Sequence, residues 1–271
     1  MKKELSNGMK RIITGILLSL LLIFIVVFTK IFWFFAAVAL IVGLSLIEYY
    51  KITAGQDKGL LIIGTLFGVM IPVVVYLAGL KGVLGYLTFV VFLVFIYYLF
   101  IHEPLATVTS RIGVGILGII YIAFFISHLI LIRDLEQGSL WILFLVFIIA
   151  ANDTFAYYVG KKYGRRKLSP IVSPNKTVEG AVGGFVGGLL IAIAFQQFFL
   201  LKITLIEAIT LSAFIGIIGQ FSDLFESLIK RSADVKDSGS ILPGHGGVLD
   251  RIDSIIFPAP FLYYYIIIFK V

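Results

Sequence analysis

The sequence predicts an all-α polytopic membrane protein of about nine transmembrane helices, with the N-terminus cytoplasmic and the C-terminus outside. Three observations carry that reading. Hydrophobic residues make up 60% of the 271-residue chain, against roughly 45–50% in soluble domains. Only 14% of residues are charged, against about 25% in a soluble chain. Mean hydropathy is +1.09. Together these exclude a soluble enzyme, a disordered chain and a disulfide scaffold. The chain has no cysteine, which removes thiolate metal sites and cysteine nucleophiles. The apolar runs do not alternate in polarity, so helices are favoured over a closed barrel.

A bilayer core takes about 20 apolar helical residues. Stretches of that kind cover residues 12–29, 31–47, 59–80, 82–101, 112–132, 137–160, 180–201, 203–220 and 254–269. The sixth carries Asp153 and the eighth carries Glu207 near its start. Lys2, Lys3, Lys10 and Arg11 precede the first run, which reads as an uncleaved anchor. With nine spans, only Lys30, Lys81, Arg133, Lys202 and Lys270 of the 22 Lys and Arg residues fall outside, as the positive-inside rule demands. The net charge of +7 therefore reflects topology, and no nucleic-acid partner is implied.

The chain divides near residue 136. Residues 1–136 read as a five-span scaffold. Residues 137–271 read as a four-span catalytic region with polar cytoplasmic loops at 160–180 and 230–253. The seventh span has Gly180, Gly184 and Gly188 on one face, with Gly183 and Gly187 beside them. Close helix packing is the expected use of such a face, and it would also allow a homodimer.

Asp223 and Glu226 are three apart at the end of the eighth span, sharing a helix face with Ser227 and Lys230. Asp153 lies near the cytoplasmic end of the sixth span. Ionisable groups within spans are costly and are usually retained for function, although interfacial ion pairs would also account for them. The segment 227–253 sets Lys230, Arg231, Lys236 and Arg251 among Asp234, Asp237, Asp250 and Asp253. Between them lies Pro243-Gly244-His245-Gly246-Gly247. Glycines let backbone N–H groups approach an anion. Lys and Arg neutralise phosphates, and carboxylates hold a hard cation such as magnesium. These are the parts for phosphoryl or nucleotidyl transfer. In the other loop, Lys161, Lys162, Arg165, Arg166 and Lys167 read as topology or attraction to anionic lipid head groups. Ser173, Lys176, Thr177 and Glu179 instead stand just before a helix, whose first N–H groups bind anions.

Ser227-x-x-Lys230-Arg231, Lys236-Asp237 and Pro243-Gly244-His245-Gly246-Gly247-x-x-Asp250-Arg251-x-Asp253 resemble the signature of the phosphatidate cytidylyltransferase (CDP-diacylglycerol synthase) family. The match runs through consecutive residues 227–253 without a gap. Asp153-x-x-Ala156-Tyr157 and Ser173-Pro174-x-Lys176-Thr177-x-Glu179-Gly180 also look like family motifs, with Asn175 and Val178 where Lys and Trp are more usual. The five N-terminal spans match in hydropathy alone. The resemblance implies that phosphatidic acid and CTP give CDP-diacylglycerol and pyrophosphate, with magnesium required and a second cation left open. It implies a multi-pass protein of the cell membrane with its site on the cytoplasmic side, CTP arriving from the cytosol and the acyl tails staying in the bilayer. On that basis Asp223 and Asp250 hold the cation, with Glu226 beside them and Asp153 as a further metal or hydrogen-bond candidate. Lys230, Arg231, Lys236 and Arg251 contact the triphosphate or the lipid phosphate, and Asp237 is grouped with them. Gly244, Gly246 and Gly247 allow backbone approach to phosphate. Ser173, Lys176 and Thr177 contact the nucleotide or a phosphate, and His245 bonds a phosphate or orients a metal-bound water.

The rival readings are a CTP-using polyprenol kinase, an archaeal CDP-archaeol synthase, a transporter and a purely structural scaffold. A transporter calls for an inverted repeat and polar groups along several spans. Here the acids gather on one side and no repeat is evident.

Overall fold

The apolar runs become helices because a hydrocarbon solvent offers the backbone no hydrogen-bond partner, and an α-helix satisfies its own. The computed structural model describes residues 7–55, 57–100, 104–199, 203–242 and 246–270, with side chains from residue 14 onward. The elements are α1 (Asn7–Phe28), α2 (Ile31–Thr53), α3 (Lys58–Phe100), α4 (Leu105–Asp134), α5 (Gly138–Tyr163), β1 (Lys167–Ser169), β2 (Ser173–Thr177), α6 (Val178–Phe198), α7 (Leu205–Ser232), α8 (Leu249–Ile256) and α9 (Pro258–Phe269). The protein is a predominantly helical, polytopic membrane protein. Among the described residues, seven helices are long and apolar enough to cross a membrane, with α8 and α9 counted as one. The apolar part of α1, Thr14–Phe28, is shorter.

The difference from nine lies in α1, whose apolar part is short, and in α3, where two expected spans form one helix. At 43 residues a straight helix would be about 65 Å long, roughly twice a bilayer core. It is not straight, because Gly79 adopts φ 62°, ψ −162°. The Tyr86 hydroxyl donates to the Phe67 carbonyl at 2.8 Å across 19 residues, which a straight helix would hold roughly 28 Å apart. A Cβ on Gly59 would overlap the Tyr97 hydroxyl. The two halves of α3 therefore fold back on each other as an antiparallel hairpin at Gly79, where glycine alone is unstrained. The boundary expected between residues 80 and 82 is this turn.

The chain forms two compact units. The first is Met1–Leu131 with Val235–Arg251, and the second is Ile132–Asp234 with Ile252–Val271. Residues 235–251 thus pack with the N-terminal helices, although the division by sequence sets them with the C-terminal region.

In the first unit, α2 binds α4 through two buried tyrosines. The Tyr50 hydroxyl donates to the Gly115 carbonyl at 2.7 Å, and the Tyr49 hydroxyl donates to the Val114 carbonyl at 3.1 Å. Gly64, Gly68 and Gly118 face Tyr50, Leu46 and Tyr49, where a Cβ would collide. Arg111 pairs with Asp57 at 2.7 Å, and Asp57 also accepts from the Leu60 N–H at the start of α3. Within α4, Ile119–Phe124 forms a π-helical segment whose Ile119, Tyr121, Ile122 and Ala123 are buried.

In the second unit, the glycine face of α6 packs on α5 as the sequence suggests. Cβ atoms at Gly183, Gly184 and Gly187 would run into Val159, Asn152 and Phe155. Asn152, 2% exposed, ties the helices together at the centre of this seam. Its amide donates to the Gly216 carbonyl at 3.0 Å, and its oxygen accepts from Gln220, which also donates to Ala181. A buried amide is tolerable in an apolar interior only when bonded in this way. Bulk at Gly184 should therefore break the seam. Gly184→Leu is expected to lower stability by about 2 kcal/mol or more, read as a melting temperature several degrees lower in detergent. Gly85→Ala, where a Cβ meets nothing within 4 Å, should leave it unchanged.

Candidate active site

In the second unit the chemistry starts from the link between α5 and α6. The expected turn is a two-stranded antiparallel hairpin, β1 with β2, in which Ser169 faces Ser173 and Lys167 faces Thr177. Glu179, on the first turn of α6, holds the approach to this hairpin. Its carboxylate accepts from the Arg165 and Arg166 backbone N–H groups at 2.9 and 3.1 Å and from the Arg166 side chain at 3.0 Å. Thr177 is buried as the N-cap of α6, with Oγ1 accepting from the Gly180 N–H at 3.1 Å. Its hydroxyl thus supports the backbone of α6. Gly160, Gly164 and Gly180 crowd around this threonine.

Lys176, one residue earlier on β2, ion-pairs with Asp223 of α7. The side chains are 29% and 24% exposed, so the pair is held but open to a ligand. Ser227, a turn beyond Asp223, lies 3.5 Å from it and donates toward its carboxylate. One turn along α7, Glu226 is fully buried and paired with Lys230 in the i, i+4 arrangement. Glu preceding Lys is the favourable order on a helix. A carboxylate buried to this degree needs its cation, so Lys230 has a neighbour to neutralise before any phosphate. Arg231 Nε donates to the Val172 carbonyl at 3.4 Å, joining the end of α7 to the hairpin turn.

Asp253 is the acid that the sequence reading leaves without a role. It feels the fields of Asp223, Glu226 and Asp153. Ser222 of α7 donates to its backbone carbonyl, and its carboxylate accepts from the Ser254 N–H at 2.7 Å. The sequence signal was its place three residues after Asp250 in the signature, but nothing in that spacing indicated which acids it would join. Asp153 itself is exposed in the C-terminal half of α5. Ser173 is partly exposed at the start of β2.

Four carboxylates with all-oxygen donors suit a hard divalent cation. Among the described residues no three acids or histidines close into a ready metal cage. Magnesium, which keeps water and substrate phosphate oxygens in its shell, does not need one.

In the first unit the described residues of the signature segment are bonded to two acids. Asp250, on the first turn of α8, accepts from the Ser238 N–H at 3.0 Å and the Gly247 N–H at 2.8 Å. Gly246 adopts φ 81° and bridges to Leu242, whose N–H donates to the Gly246 carbonyl at 3.0 Å. Gly247 is buried where a Cβ would overlap Ser238. The second acid is Glu48 of α2, which no motif marks. Its Oε1 accepts from the Val248 N–H at 3.0 Å, and its Oε2 accepts from the Leu249 N–H at 2.8 Å and the Ser238 hydroxyl at 3.1 Å. Lys236, Asp237 and Arg251 are exposed. Gly244 and His245 lie outside the described residues.

Three relatives share long stretches with this chain. It is 46% identical over 162 residues to a phosphatidate cytidylyltransferase of Bacillus subtilis (strain 168), covering 59% of this chain and 60% of that one. It is 42% identical over 137 residues to the enzyme of that name from Staphylococcus saprophyticus, covering 51% and 53%. It is 45% identical over 133 residues to the uncharacterized protein YnbB of Escherichia coli (strain K12), covering 49% and 44%. The matched stretches thus span between under half and three-fifths of these relatives. Residues 9–269, nearly the whole chain, match one family throughout. The protein belongs to the Cytidylyltransferase family.

Proposed function

We propose that the protein makes CDP-diacylglycerol and pyrophosphate from CTP and phosphatidic acid. The observation that carries the reading is the Lys176–Asp223 pair. It joins the β2 motif to the acidic face of α7, beside a concentration of carboxylates centred on Asp253. The identity to two enzymes named phosphatidate cytidylyltransferase supports the same reading. A polyprenol kinase would use the same nucleotide but transfer its γ-phosphoryl group.

A phosphatidate oxygen attacks the α-phosphorus of CTP. One phosphorus–oxygen bond forms there, the α–β bridge breaks, and pyrophosphate leaves. The lipid phosphate is already largely ionised near neutral pH, its second pKa being roughly 6–7, so no strong general base is needed. The obstacle is repulsion between two anions, and the chain answers it with cations. Lys176 offers its ammonium from beside Asp223. Arg231, Lys236 and Arg251 are proposed phosphate contacts, and Lys230 joins them while neutralising Glu226. Ser173 and Thr177 are proposed contacts to the nucleotide or a phosphate. Gly246 and Gly247 are proposed to let backbone approach phosphate, and Gly244 and His245 keep the phosphate roles inferred from the signature. Asp237 is proposed to act with these bases.

Asp223 is the proposed carboxylate for magnesium, with Glu226 and Asp153 nearby and Asp250 assigned on sequence grounds. Bound magnesium would screen the reacting anions and stabilise the leaving pyrophosphate. The charge asymmetry of the loops supports a site on the cytoplasmic side of the cell membrane, with the N-terminus inside and nine crossings. Oligomeric state is open to a homodimer.

Turnover in mixed micelles is the direct test. CTP labelled at the α-phosphorus should yield lipid-linked CMP and free pyrophosphate with magnesium, and neither without it. Label confined to CDP would identify a kinase instead. Asp223→Ala should cut turnover at least about 100-fold while the protein stays monodisperse in detergent. Near-normal turnover would remove the cation assignment. Lys176→Met should lower kcat/KM for CTP about 10-fold or more, the usual effect of losing a hydrogen bond to a charged group.

A further inference from the structure

We infer that Glu48 is a positioning residue for the signature segment: from α2 it fastens the start of α8 and so orients Asp250 and Arg251. The side chain is 2% exposed, and an acid so deep in an apolar helix is kept at a cost unless its oxygens are bonded. All three of its bonds reach residues 238–249, which lie 190 to 201 positions further along the chain. Two of the donors, the N–H groups of Val248 and Leu249, belong to the start of α8, where backbone donors have no intrahelical acceptor. Glu48 thus caps a helix from another helix, with the charge placed at the favourable pole of the helix dipole.

The neighbouring residues are shaped to this contact. A Cβ on Gly239 or Gly247 would run into the Glu48 carboxylate, so both positions need glycine for the segment to come so close. The platform is rigid, because Tyr49 and Tyr50, next in sequence, are bonded to α4. Ser238 completes the link. Its hydroxyl donates to Glu48 while its N–H donates to Asp250. One residue thus connects the buried acid to the signature aspartate. Glu48 touches neither substrate in this scheme, and its effect on turnover runs through the placement of Asp250 and Arg251.

The kinetic half of the inference rests on the proposed cytidylyl transfer, whereas the structural half does not. The test uses the full chain in detergent micelles without substrate. Hydrogen–deuterium exchange is followed on the peptide containing Val248 and Leu249, and turnover is measured in parallel. Glu48→Gln should raise exchange there about 10-fold. It should lower kcat about 10- to 100-fold, the cost typical of losing a supporting hydrogen bond, with KM for CTP within about threefold of wild type. Glu48→Asp, which keeps both oxygens, should recover part of both effects. Wild-type exchange in Glu48→Gln overturns the inference, as does faster exchange with unchanged kcat. A wild-type protein making no CDP-diacylglycerol would defeat the proposed function, and the exchange measurement would still decide the role of Glu48. If Glu48→Gln does not fold, Ser238→Ala serves instead. It should raise exchange at Val248 and Leu249 and lower kcat several-fold, and wild-type values for both would overturn the inference.

Discussion

A carboxylate placed in an apolar interior must be solvated by the protein itself, and much of the structure around the candidate residues follows from that requirement. Glu226 meets it with Lys230. Glu48 meets it with two backbone N–H groups and a serine hydroxyl. Asp250, only partly buried, is held in the same way by the amides of Ser238 and Gly247. In each case the group supplying the bond is itself part of a candidate motif. The same interactions that make buried charge tolerable therefore hold the functional segments in place.

Hydropathy made the helices legible because a span must be continuous and apolar, and that is a property of neighbouring residues. The glycine face of α6 was legible for the same reason, since a four-residue spacing defines a face wherever the helix lies. Even the division of α3 was visible, because Lys81 interrupts the apolar run close to Gly79. The antiparallel return depends on a single positive φ at Gly79, and hydropathy has no access to that angle.

The site was legible only in part. Asp223, Glu226, Lys230 and Lys176 stood out as ionisable residues in or beside apolar helices. Their pairing was not visible, because Lys176 and Asp223 lie on different elements. Thr177 carries a hydroxyl suited equally to capping a helix or contacting a ligand, and only geometry shows that it caps. Glu48 left the least trace. It sits at the end of an apolar run beside Tyr49, Tyr50 and Lys51, a context typical of residues at the membrane–water boundary. Its partners are about two hundred positions away, and no local spacing encodes them.

The internal bonds of Glu179 and Asp223 also change what the basic link between α5 and α6 presents to its surroundings. Counted from the sequence, every lysine and arginine there adds one unit of positive charge. In the folded chain the Arg166 guanidinium is matched by Glu179 and the Lys176 ammonium by Asp223. The formal tally that orients a polytopic chain during insertion is thus larger than the field the mature surface projects toward anionic head groups. In the finished protein both cations stand as halves of neutral pairs.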